Sequence, residues 1–107
     1  MELANKINIL EINFIGKSIE KMTTEMTELN KLFYENLHMS KITISIFHSD
    51  LLELQKLILP LYLEEIYINV IGLKYKKDEN DKKEAEQIIN KKIKIPFNCK
   101  IKLLCYY

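Results

Sequence analysis

The sequence predicts a small α/β domain, with a four-stranded mixed sheet and three helices in the order βαβαβαβ. Three observations carry that expectation. Residues 7–15 alternate like a strand, residues 17–37 repeat every three or four positions like an amphipathic helix, and residues 41–47 return to period two. A strand, a long helix and a second strand fit a right-handed crossover between parallel neighbours. Two or three layers are compatible with the pattern. If residues 50–63 are an inserted helix, the remaining elements approach a ferredoxin-like split βαβ arrangement.

The first strand, 7–15, places Leu10, Ile12 and Phe14 on one face, with Glu11 and Asn13 pointing away. Ile7, Ile9 and Ile15 add apolar groups to the polar side, the pattern of a central strand covered on both faces. Gly16 breaks the strand. The first helix is expected over 18–37, with Ile19, Met22, Met26, Leu29, Phe33 and Leu37 forming its stripe. Ser18 is its N-cap, and Glu20 favours the positive end of its dipole. The second strand, 41–47, alternates Ile42, Ile44 and Ile46 with Lys41, Thr43 and Ser45.

A second helix is expected from His48-Ser49-Asp50. Asp50 and Glu53 suit a capping box, Leu51, Leu54, Ile58 and Leu61 space as a buried face, and Pro60 marks the end near Leu59. The third strand is read over 66–75. Ile66, Ile68 and Val70 lie on one face, and Tyr67, Asn69 and Ile71 on the other. Gly72 signals a bulge or close approach. Residues 76–84 read as a solvated loop and helix start. The third helix, 81–92, has only Ala85, Ile88 and Ile89 as anchors. Residues 92–96 suggest a short edge strand ending at Pro96, and 100–106 the last strand.

A chain of 107 residues, 48% of them hydrophobic, suits one domain spanning 1–107 with one core. Cys99 and Cys105, if on one strand, lie about 20 Å apart, beyond the roughly 7 Å reach of a disulfide. Two free thiols, no basic leader before an apolar run, and no 18-residue apolar stretch imply a cytoplasmic protein without a membrane partner.

Chemistry is thinly represented. Gly16-Lys17-Ser18 lies between strand and helix like the tail of a phosphate loop. The required first glycine is Glu11, however, and the intervening residues are strand-like. Parallel pairing of the first two strands would bring Gly16, Lys17 and Ser18 to the same sheet edge as His48 and Asp50, which makes these five the anion- or ligand-binding candidates. Neither the histidines nor the cysteines have metal-ligand spacing, and no cofactor motif is present. No catalytic set is identified, and the expectation is a non-enzyme.

Charge and aromatic placement say more. Residues 1–73 hold 6 lysines and 10 acids, whereas residues 74–107 hold 10 lysines and 5 acids. Lys91, Lys92, Lys94, Lys100 and Lys102 form an acid-free basic stretch suited to phosphate contacts, although arginine is absent. Tyr62, Tyr67, Ile71, Leu104, Tyr106 and Tyr107 exceed what one small core needs and are the interface candidates. The leading expectation is a protein-binding or regulatory module whose partner is another protein or a second copy. Nucleic-acid binding through 91–102 is the first alternative. A ligand-binding or enzymatic domain using the 16–18 and 48–50 edge is the second.

Overall fold

The computed structural model describes residues 8–72 and 79–106. Its elements are β1 (Ile9–Asn13), α1 (Ile19–Glu35), β2 (Lys41–Phe47), a 3₁₀ helix (His48–Lys56), β3 (Glu65–Ile71), α2 (Glu79–Lys92) and β4 (Lys100–Tyr106). The α/β class and element order match the expectation. Ile7, residues 73–75 of the expected third strand, the 76–78 part of the polar loop, and Tyr107 lie outside the described residues.

The expected mixed sheet is wrong. All four strands are parallel, in the spatial order β1-β2-β3-β4. Each strand therefore needs a crossover that runs back along the sheet. Right-handed crossovers that step in one direction put every connecting helix on the same face. Helices α1, 3₁₀ and α2 accordingly form one layer, with the 3₁₀ helix touching both neighbours. The ferredoxin-like alternative, which interleaves antiparallel strands, is excluded by this order.

Burial records the two-layer arrangement residue by residue. In β2 and β3 every second side chain is buried: Ile42, Ile44 and Ile46, then Ile66, Ile68 and Val70. Ile12 and Phe14 of the first strand region share that face, against Met22, Met26 and Phe33 of α1. Helix α2 contributes Ala85 and Ile89, and the segment after it adds Ile93. Among the described residues, no helix covers the opposite face. β1 is consequently an edge strand with a single covered face, not a doubly covered central strand, and Ile9 is 65% exposed.

Local chemistry explains most element ends. The Ser18 hydroxyl accepts from the Lys21 backbone N–H at 3.2 Å and caps α1. Gly16 enters this turn at φ 78°, a conformation that penalises a Cβ. The second crossover differs from its expectation. Its buried leucines, Leu51, Leu54 and Leu57, recur every three residues, the period of a 3₁₀ helix, while Ile58 and Leu61 are exposed. Nine 3₁₀ residues rise about 18 Å, closer to the about 23 Å of a seven-residue strand than the about 13 Å of nine α-helical residues. Asn30 of α1 secures its end: Nδ2 donates to the Lys56 carbonyl at 3.1 Å, and Oδ1 accepts from Ile58 N–H at 2.7 Å. The Asp50–Glu53 capping box is absent, since no side chain caps this helix. Residues 92–96 are not a strand: Lys92 ends α2, and Ile93 and Ile95 turn into the core margin.

Candidate interaction surface on the uncovered sheet face

Because the strands pair flush, side chains of the uncovered face line up across the sheet in rows. One row is Glu11–Thr43–Tyr67–Lys102, the next Asn13–Ser45–Asn69–Leu104, and the last Phe47–Ile71–Tyr106. The face is therefore graded. Its amino-terminal end carries Lys41, Glu65 and Lys100, its middle carries Tyr67 and amides, and its carboxyl end is apolar and aromatic.

Four of the six interface candidates converge here: Tyr67, Ile71, Leu104 and Tyr106. Tyr106 is 48% exposed, and the other three are half-buried by their in-plane neighbours. Tyr67 is bracketed by cations. Lys41 Nζ lies 4.2 Å from its ring centroid, and Lys102 Nζ 5.9 Å on the other strand. An ammonium over a phenol ring is attracted by the ring quadrupole, so the ring holds these lysines on the face. Asn69 Nδ2 donates to Ser45 Oγ at 3.4 Å, while the Asn69 Oδ1 is shielded without a hydrogen-bond partner. Tyr62 is elsewhere. It precedes β3 at the opposite end of the strands, stacked on His38 with centroids 4.6 Å apart. A groove of about 880 Å³ opens there, lined by Leu61, Tyr62, Glu65, Phe97 and Lys100. Tyr107 lies outside the described residues.

Sequence reading missed Lys41 and Phe47 as members of this surface. Their parity was available, since both share the polar face of KITISIF with Thr43 and Ser45. What it lacked was the knowledge that no described element covers this face.

The basic stretch is divided. Lys100 and Lys102 belong to the uncovered face, whereas Lys91 and Lys92 sit in the last turn of α2 and Lys94 in the loop beyond it. The five lysines do not form one stripe.

The 16–18 and 48–50 segments do reach the same edge, as parallel pairing of β1 and β2 requires. Their side chains are engaged differently. Lys17 Nζ donates to both carboxylate oxygens of Glu25 at 2.8 Å, and the Ser18 hydroxyl is the α1 cap. Asp50 lies in the first turn of the 3₁₀ helix, and His48 Nε2 is shielded without a partner. No hydrogen bond links His48 to Ser18 or Asp50 among the described residues, so no proton relay is assembled there. Among these residues, no group of three or more His, Cys, Asp or Glu side chains is placed to hold a metal.

Both cysteines are free and half-buried. Burial pushes the Cys99 thiol above its ordinary value, with Glu65 adding to the shift. Burial likewise raises Cys105, partly opposed by Lys82 and reinforced by Glu86. Such thiols are poor nucleophiles at neutral pH. Among the described residues, no helix is long and apolar enough to cross a membrane.

No protein-family model matches the chain. No curated protein and no solved structure shows a significant match to it.

Proposed function

We propose that the protein is a non-enzymatic protein-binding module and that its uncovered sheet face is the docking surface. One observation carries this reading: Tyr67, Ile71, Leu104 and Tyr106, with Phe47, share a face that no described element covers. Aromatic and aliphatic groups at the carboxyl end, with Lys41, Lys100 and Lys102 toward the amino-terminal end, suit a partner with an apolar ridge flanked on one side by carboxylates. A rigid parallel sheet also presents those groups with little entropy left to lose on binding.

The test begins with capture of partners from host lysate, split into nuclease-treated and untreated halves. The recovered partner is then purified and titrated against the wild-type protein, Ile71→Glu and Tyr106→Glu. Tyr34→Ala is the control, since Tyr34 is 81% exposed on the helical layer. The reading expects both face variants to bind at least tenfold more weakly, about 1.4 kcal/mol, with the control unchanged. Equal affinities for all four proteins would overturn it.

Nucleic-acid binding has one observation in its favour, the bracketing of Tyr67 by Lys41 and Lys102. That reading expects salt-sensitive oligonucleotide binding that is lost in Lys102→Glu. The separation of Lys91, Lys92 and Lys94 from the sheet face supports it less.

A further inference from the structure

The two outer edges of this sheet complement each other. We infer that copies of the chain stack head to tail, with β4 of one copy pairing in parallel with β1 of the next. The inference rests on the sheet edges and does not require the face proposed above to be a docking surface.

The backbone phase permits it. The Asn8 carbonyl accepts from Lys41 N–H at 3.1 Å, and Phe14 N–H donates to the Ser45 carbonyl at 2.9 Å. A parallel ladder alternates, so Ile9, Glu11 and Asn13 direct their backbone groups away from β2. On the far edge, Lys100 N–H donates to Glu64 and the Tyr106 carbonyl accepts from Gly72 N–H. Ile101, Leu103 and Cys105 therefore direct theirs outward. In parallel pairing, a residue whose groups point across sits opposite one whose groups point away. Glu11 against Lys102 satisfies that rule.

The same register continues the rows already present. It extends the row Glu11–Thr43–Tyr67–Lys102 to the Glu11 of the next copy. On the helix side it sets Ile101 beside Leu10 and Leu103 beside Ile12. These side chains need the cover, since Ile101 is 41% exposed and Leu10 and Leu103 are half-buried.

Charge selects the head-to-tail pairing. The groove along β1 is lined by Glu11, Glu25 and Glu28, with Lys17 paired to Glu25. The groove along β4 is lined by Lys82 and Lys102, with Glu86. A symmetric dimer through either edge would oppose like charges, whereas β4 on β1 opposes unlike ones. A lysine on an edge strand discourages pairing with its own kind, and here it leaves an acidic edge as the suitable neighbour. The contact is heterologous, and such contacts grow into open assemblies when their rotation does not close.

Sedimentation and light scattering of the full chain over a wide concentration range test this. The expected weight-average mass rises with concentration beyond a dimer. It falls as salt is raised from about 0.1 M to about 1 M, where the screening length drops from about 10 Å to about 3 Å. Glu11→Lys and Lys102→Glu, each alone and with wild-type circular dichroism, are expected to remain monomeric. Mixing the two variants restores growth, because each then meets an edge of opposite charge. A monomer at every concentration, a mass that halts at a dimer, growth indifferent to both reversals, or a mixture that stays monomeric would each overturn the inference. Ile71→Glu, which alters only the sheet face, is expected to stack normally.

Discussion

Ile68 and Ile71 lie three residues apart on β3 and point to opposite faces, so the same substitution at each measures whether one face is open. Ile68 is 0% exposed and packs against the helical layer, while Ile71 is half-buried in the row Phe47–Ile71–Tyr106. Replacing isoleucine with alanine removes three carbon groups, worth about 2.4 kcal/mol at about 0.8 kcal/mol each when fully buried. At Ile68 a cavity remains, because helices above and strands beside cannot collapse fully, and the loss rises to about 3–4 kcal/mol. At Ile71 water takes the vacated space, no cavity forms, and about 1 kcal/mol is expected. The loss of strand propensity is common to both and cancels in the comparison. The assay is urea unfolding of both variants beside the wild type. With a slope of about 1.5 kcal/mol per molar, Ile68→Ala lowers the midpoint by about 2 M and Ile71→Ala by less than about 1 M, with slopes unchanged. Should Ile68→Ala fail to fold, Ile68→Val carries the same comparison against Ile71→Val at about 1 kcal/mol. Equal losses at the two positions would mean a covered face and would refute the two-layer arrangement.

Three further outcomes follow from single contacts. Ser18→Ala removes the α1 cap and is expected to cost about 1 kcal/mol in the same unfolding assay, with Ser18→Asp close to wild type. Asn30→Ala removes both hydrogen bonds that hold Lys56 and Ile58 and is expected to cost about 1–3 kcal/mol, read as a lower urea midpoint. Asn30→Asp, which keeps only the acceptor, should fall between Asn30→Ala and the wild type. The raised Cys99 and Cys105 thiols make folding favour the protonated form. Their contribution to stability is complete below the ordinary value of 9.0 and is lost as pH rises through the higher folded values. Thermal melts across that range should show a steeper alkaline decline in the wild type than in Cys99→Ala/Cys105→Ala, and identical slopes would count against the burial of these thiols.

How much was legible can be seen in particular elements. KITISIF over 41–47 gave its strand to the residue, because β-branched groups at every second position suit only a pleated backbone with one buried face. Ser18 as cap, and Met22, Met26 and Phe33 as the buried stripe of α1, were equally plain, since capping and helical period are local properties. The leucines after Phe47 were harder. Leu51, Leu54 and Leu57 fit a 3₁₀ period, but Ile58 and Leu61 offered an equally apolar α-helical face. Only the length of strand to be spanned and the Asn30 contacts to Lys56 and Ile58 chose between them.

Of the candidate surface, Tyr67, Ile71, Leu104 and Tyr106 were visible as surplus apolar groups, but Tyr62 entered the same set and belongs to the other end of the strands. Composition counts such residues without saying which lie together. The sequence by itself determined the alternation, the caps, the α/β class and the uneven spread of charge, all set by neighbours within a few residues. Tertiary structure alone decided that every strand is parallel, that every crossover steps the same way, and that among the described residues one face and both edges stay open. Those features depend on backbone pairing between residues tens of positions apart, and backbone hydrogen bonds are the same whichever side chains flank them.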